Sequence, residues 1–184
     1  MSQFERPNIA KMQGYTSGEQ PQDGRSIKLN TNENPYPPSP HVAAALKAFA
    51  SDQLRVYPQP DARTLRQAIA DHHEISVDSV VITHAGDEAL RLAVTTFVAP
   101  GGVVASTEPT YSLYPVLAQI QDARMFTLDL DDDWSLPNDF ASKVSTAGAQ
   151  LTCVVNPHAP SGYLNNIPTL QGLAEQLEGV LLVD

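Results

Sequence analysis

The stretch Leu151-Thr152-Cys153-Val154-Val155-Asn156-Pro157-His158-Ala159-Pro160-Ser161-Gly162, answered downstream by Val180-Leu181-Leu182-Val183-Asp184, decides the fold. Each begins or consists of a short apolar run bounded by turn residues, the pattern of a strand buried on both faces. Between them, Pro168 to Leu177 carries helical spacing. Strand, loop, helix, strand is a βαβ unit, and such units build a mostly parallel sheet covered by helices. The prolines and glycine of the loop predict a rigid turn of the kind that accommodates cis peptide bonds. Asp184 closes the last strand, at the edge where open α/β sheets hold ligands.

The same alternation extends upstream. Val80-Val81-Ile82 predicts a short strand, and Asp87 to Val98 a helix ended by Pro100-Gly101-Gly102. Val103-Val104-Ala105 predicts the next strand, followed by a helical stretch from Tyr111 to Gln121 that Pro115 interrupts early. Arg124 to Leu128 reads as β and Pro137 to Val144 as helix. Nearer the start, Val42, Ala45, Leu46 and Phe49 give one helix after Ser39-Pro40, and Asp61 opens a second with Leu65, Ala68 and Ile69 on one face. Residues 1–40 are dense in Pro, Gly, Asn and Ser and read as an extended arm, with Tyr15, Leu29 and Tyr36 as anchors. The expected division is an arm at 1–40, a helical segment at 41–78 and a sheet domain at 79–184.

Composition narrows the function classes. A chain of 184 residues with 42% hydrophobic content can build a substantial core, and a formal charge of −10 argues against nucleic-acid and anionic-membrane partners. The single cysteine, Cys153, excludes an internal disulfide and reads as a buried structural thiol in its apolar run. With no apolar signal core and no membrane-length run, the expectation is a soluble cytoplasmic protein. Asp129-Leu130-Asp131-Asp132-Asp133 reads as a solvated loop, because no further ligand falls at metal spacing. His72-His73 reads as helix C-terminal surface, and His84 as packed beside the next helix. No metal site is expected.

Three segments fall at carboxyl ends of predicted strands. Thr83-His84-Ala85-Gly86-Asp87-Glu88 combines small residues with a helix start, an amide-rich turn suited to phosphate, with Gly86 allowing close approach and Asp87 as cap. Most such turns bind nothing. Glu108-Pro109-Thr110-Tyr111 offers an aromatic ring that either stacks on a planar ligand or packs between helix and sheet. The third is the Asn156–Gly162 loop, with Asp184 at the end of the following strand.

Together the collinear segments KLNTNENPY, RVYPQP, THAGDEAL, EPTYSLY, NPHAPSG and LLVD resemble the class I/II pyridoxal-phosphate aminotransferases, nearest to the histidinol-phosphate subfamily. The resemblance runs from about Tyr15 to Asp184 and concerns the amino-terminal part of the family's length. It implies a fold-type I α/β large domain, incomplete at the carboxyl end, with pyridoxal 5'-phosphate as cofactor. It implies that amides of Gly86 and Asp87 hold the cofactor's phosphate, that Tyr111 stacks on the pyridine ring, and that Asp184 accepts the pyridinium N–H. It implies further that Tyr57 reaches a partner's cofactor phosphate in a homodimer, and that Tyr15, Asn34 and Tyr36 belong to an arm that closes over substrate. The implied reaction exchanges an amino group between an L-amino compound and 2-oxoglutarate.

Two departures from the family pattern matter. Ala159 stands where the family has an asparagine that bonds the cofactor's phenolic oxygen, so Asn156, or else His158, is the candidate substitute. The family's Schiff-base lysine follows the aspartate, whereas Lys11, Lys28, Lys47 and Lys143 all precede Asp184. Lys143 reads as a solvated helix lysine. No catalytic lysine is therefore expected within these residues, and the chain alone is expected to be inactive. The alternatives are a non-catalytic module that binds cofactor or dimerises, and a related aromatic aminotransferase or threonine-phosphate decarboxylase. A dinucleotide-binding dehydrogenase lacks its Gly-x-Gly-x-x-Gly.

Overall fold

The computed structural model describes residues 3–15 and 18–184. In chain order the helices and strands are α1 (Pro7–Ala10), α2 (Pro40–Ala48), α3 (Arg63–His73), α4 (Ala85–Phe97), β1 (Val103–Glu108), α5 (Leu113–Gln121), β2 (Arg124–Asp129), α6 (Phe140–Thr146), β3 (Leu151–Val154), α7 (Ile167–Gln176) and β4 (Val180–Val183). They fall into two compact units, Met1–Tyr15 with Thr83–Asp184, and Thr16–Ile82.

The first unit is the α/β body. All four strands run parallel in the order β2-β1-β3-β4, with Val103 opposite Arg124, Val104 opposite Leu151, and Leu151 opposite Val180. The chain leaves β1 towards β2, then returns past β1 to β3. Crossovers of one hand that travel in opposite directions put their helices on opposite faces. The packing follows that rule. Val104, Leu151 and Cys153 meet α4 and α5 through Leu90, Val94, Leu113 and Leu117. The alternate positions Val103, Ala105 and Val154 meet α6 and α7 through Phe140, Val144 and Leu173. The central strands β1 and β3 are buried along their length up to Glu108, which explains their unbroken apolar reading. The return from β1 to β3 also creates a switch point, and the crevice outside the strands' carboxyl ends there is the place for a ligand.

Short α1 is fastened to the far end of α5: Arg6 Nη2 donates to the Ile120 carbonyl at 2.7 Å and Asn8 Nδ2 to the Gln119 carbonyl at 2.8 Å. These carbonyls belong to the last turn of α5, where a helix lacks partners of its own and favours positive charge.

The second unit contains α2 and α3. Proline at the first turn and the Ser39 side chain start α2. Arg66 of α3 donates to the carbonyls of Val80 and Val77, at 2.8 and 2.7 Å, and so ties the Ile75–Val80 segment to the helix. Among the described residues of this unit, only Ala70 and Val80 are buried.

Several expectations need correction. Val80-Val81-Ile82 is extended but forms no strand, because none of the four strands pairs with it. Asp61 does not open α3; the helix begins at Arg63 after Ala62 in a left-handed conformation, and Asp61 pairs with Arg66 at 3.1 Å. The expected face of Leu65, Ala68 and Ile69 is displaced: Leu65 and Ala68 are exposed, and Ala70 is buried. Pro115 does not interrupt α5, since it lies in the first turn, where its missing N–H has no helical partner to lose. Elsewhere the elements match within a few residues. Cys153 is buried, as expected, and Lys143 is exposed and paired with Asp139 at 2.8 Å. The acidic stretch is exposed at Asp131, Asp132 and Asp133, and no group of metal-binding side chains occurs among the described residues.

Candidate active site

The carboxyl edge of the sheet gathers the start of α4, the turn after β1, the loop after β3 and the residue after β4. Gly86 and Asp87 lie in the first turn of α4, where backbone amides have no intrahelical acceptor. A Cβ built on Gly86 meets nothing within 4 Å, so open space lies over that turn. The left-handed residue is Ala85, at φ 63°. Asp87 is not the cap: His84 holds that position without a side-chain cap bond, and its ring is exposed rather than packed. Both acids of the turn are tied elsewhere. Glu88 Oε2 accepts from the His84 amide at 2.6 Å, and Asp87 Oδ1 accepts from the Tyr111 hydroxyl at 3.3 Å.

Tyr111 sits just before α5. Tyr15 and Tyr114 meet it edge-to-face, with ring centroids at 6.4 and 5.7 Å, and neither lies flat against it. Burial, a hydrogen bond with Tyr15 and the Asp87 charge push its phenol well above the ordinary value, so it remains a donor.

One turn on, Tyr114 is almost wholly buried, and its hydroxyl donates to Asp184 Oδ2 at 2.7 Å. Burial first, then the Asp184 hydrogen bond and charge, raise this phenol strongly. A buried tyrosine ring requires a partner for its hydroxyl, and here the partner is the carboxylate at the end of β4. The backbone of Asp184 also extends the ladder: its amide donates to the Val154 carbonyl and its carbonyl accepts from the Asn156 amide, at 3.0 and 2.9 Å. The carboxylate is therefore fixed by strand register and by one phenol. Its Oδ1 has no hydrogen-bond partner among the described residues.

The Asn156–Gly162 loop contains cis bonds at Asn156–Pro157 and Ala159–Pro160, and Glu108–Pro109 is also cis. The Asn156 side chain is engaged inward: Oδ1 accepts from the Asn165 amide at 2.8 Å and Nδ2 donates to the Asn165 carbonyl at 3.2 Å. It closes the loop instead of presenting a donor. His158 is buried and bonded through both ring nitrogens, so it does not substitute for the missing asparagine either. Ala159 packs against the apolar cluster beneath α4 and α5.

Sequence reasoning found Gly86, Asp87, Tyr111 and Asp184, which the structure brings to one edge, with Tyr15 beside Tyr111. Tyr57, Asn34 and Tyr36 lie in the second unit; Tyr57 and Tyr36 are exposed, and Asn34 Oδ1 accepts from the Tyr36 amide at 3.0 Å. Tyr114 was missed. A tyrosine on the apolar face of a helix, three residues after the candidate ring, was the available signal.

A sheet switch point, an open helix start, an aromatic ring and a strand-end acid thus share one edge of the sheet. The sequence profile for aminotransferase class I and II matches residues 25–184, and the chain belongs to that family of pyridoxal-phosphate-dependent enzymes. It is 37% identical to a histidinol-phosphate aminotransferase of Chromohalobacter salexigens, over 100% of this chain and 51% of the relative. It is 41% identical to one from Clostridium botulinum strain Kyoto, over 96% of this chain and 49% of the relative. A crystal structure of histidinol-phosphate aminotransferase from Sinorhizobium meliloti with pyridoxal-5'-phosphate superposes with a TM-score of 0.87 at 24% identity, covering 100% of this chain and 51% of that one. The chain thus spans about half the length of the relatives it matches. No helix among the described residues is long and apolar enough to cross a membrane.

Proposed function

We propose that these residues form the cofactor floor of a histidinol-phosphate:2-oxoglutarate aminotransferase. The observation that carries this reading is the Tyr114-held Asp184 carboxylate, on the same sheet edge as Tyr111 and the open start of α4. The residues fit a phosphorylated pyridine. Amides of Gly86 and Asp87 have no intrahelical acceptor and suit a phosphate, while Glu88 takes the His84 amide and Asp87 the Tyr111 hydroxyl. Tyr111 offers a ring beside it, and Asp184 Oδ1 is an unused acceptor for a ring N–H. When bound, pyridoxal phosphate supplies the electron sink for the bond broken at the substrate's α-carbon.

Each residue then has a definite task. The α4 amides anchor and orient the anion. Tyr111 limits the tilt of a stacked ring, and its bond to Asp87 couples that ring to the phosphate turn. Asp184 holds a proton on the ring nitrogen by placing an opposite charge beside it. Tyr114 fixes which carboxylate oxygen faces the site. The proton at the substrate carbon requires a base that this constellation lacks; in the family it is a lysine after the aspartate, and all four lysines here precede Asp184. We assign that step to a lysine outside these residues. Tyr15, Asn34 and Tyr36 are assigned to substrate, and Tyr57, 98% exposed, to the cofactor phosphate of a second subunit in a cytoplasmic homodimer.

The test is amino transfer from histidinol phosphate to 2-oxoglutarate by the full natural polypeptide, with a visible-absorption titration of pyridoxal phosphate alongside. Saturable cofactor binding with turnover is expected. Binding without turnover would favour the non-catalytic module, and turnover only with aromatic amino acids would move the substrate assignment.

A further inference from the structure

One buried titratable side chain has no task in the site just described. His158 lies where three neighbouring strands deliver their loops. From the loop after β3, its Nε2 is 2.9 Å from the Pro109 carbonyl in the turn after β1. Its Nδ1 is 2.7 Å from Ser161 Oγ within its own loop. Its ring lies near-parallel to Trp134, from the turn after β2, at 6.0 Å and 30°.

The partners dictate where the proton sits. A carbonyl oxygen only accepts, so Nε2 carries the hydrogen. In the neutral ring Nδ1 is then the acceptor, and the Ser161 hydroxyl donates to it. Ser161 Oγ also accepts from the Tyr163 amide at 3.1 Å, so each group in the chain has a partner of the right polarity. The loop closes around this core, with the His158 amide donating to the Tyr163 carbonyl and the Gly162 amide to the His158 carbonyl, both at 2.7 Å. Pro109 is two residues before Tyr111.

We propose that His158, held as the Nε2–H tautomer, is a positioning residue that pins the Pro109–Tyr111 turn to the Asn156–Gly162 loop and thereby sets the ring against which a bound cofactor rests. The cofactor part of this proposal rests on the function proposed above. The brace itself stands on hydrogen-bond polarity alone.

The experiment has a part with cofactor and a part without it. In the full natural polypeptide, His158→Phe is expected to weaken pyridoxal-phosphate binding about tenfold, whereas His158→Gln, which keeps a donor for Pro109 and an acceptor for Ser161, stays within about threefold. Emission from Trp134, taken as the difference from a matched Trp134→Phe background, is expected to shift in the Phe variant and return towards wild type in the Gln variant. Unchanged affinity in the Phe variant, or a Gln variant no better than Phe, overturns the positioning role. Nitrogen NMR of the wild-type imidazole, without cofactor, covers the case of a Phe variant that fails to fold. A hydrogen on Nε2 with bare Nδ1 is expected, and a bare Nε2 overturns the brace. Wild-type protein that binds no pyridoxal phosphate sinks the cofactor reading, while the ring nitrogens still decide the brace.

Discussion

The two units use their large apolar side chains in opposite ways. In the sheet unit, Tyr114, Phe140 and Leu151 are each under 2% exposed or close to it, because α4 and α5 cover one face of the sheet and α6 and α7 the other. In the Thr16–Ile82 unit, Ile27, Leu29, Leu54 and Tyr57 are between 76% and 98% exposed. Its helix α2 has a capped start with proline in the first turn, yet among these residues the unit buries almost nothing. Helix signals are local, whereas burial requires a second surface. The contrast separates a body whose stability is written in its own βαβ units from a segment whose apolar faces call for cover.

The largest effect should therefore come from the sheet unit's core. Phe140→Ala is expected to cost about 3–5 kcal/mol in urea unfolding of the 184-residue chain, against roughly 0.5 kcal/mol or less for Leu54→Ala. A Leu54→Ala loss equal to that of Phe140→Ala would erase the comparison.

At the site, the ranking follows charge. Asp184→Asn is expected to weaken pyridoxal-phosphate binding by the full natural polypeptide about 10- to 100-fold, the range for losing a charged hydrogen bond. Equal affinity in the variant would remove Asp184 from the site. Tyr114→Phe keeps the ring and removes only the hydroxyl bonded to Asp184, so a smaller loss of about 3- to 10-fold is expected. Binding by the Phe variant that matched wild type would make this tyrosine a packing residue only.

The last comparison concerns pH. Burial, then the Asp184 charge, push the Cys153 thiol from an ordinary 9.0 up to about 12. The folded chain holds that proton more tightly than the unfolded one, so the associated stability is complete below pH 9 and is lost as pH rises towards 12. Cys153→Ala should show a shallower alkaline loss of stability over that interval. Parallel profiles for variant and wild type would show that the thiol does not titrate on unfolding.

Legibility in the sequence followed the same division between local and distant. The order of elements and the parallel sheet were readable because β1 and β3 are buried on both faces and show it as short, mostly apolar runs between helical segments. Gly86, Tyr111 and Asp184 were readable because each falls beside a strand end or helix start. The strand at 80–82 was misread because apolar residues reveal a wish for burial but not a pairing partner. The bonds of Asn156 to Asn165 were not foreseen, because they cross nine residues of a loop whose path no spacing rule supplies. Tyr114 was missed, and the bonding of His158 could not be foreseen, for a related reason. Their partners, Asp184 and the Pro109 carbonyl, are 70 and 49 residues distant and meet them only after the sheet is assembled.

The grip of Arg6 and Asn8 on the last turn of α5 has a practical consequence. That helix carries Tyr114 in its first turn, and Tyr111 lies just ahead of it, so residues before Tyr15 act as a stay on the far end of the lever that bears the site. An affinity tag or a trimmed start that loosened Arg6 and Asn8 would alter the aromatic cluster from a distance. Protein made for cofactor measurements should keep Arg6 and Asn8 in place.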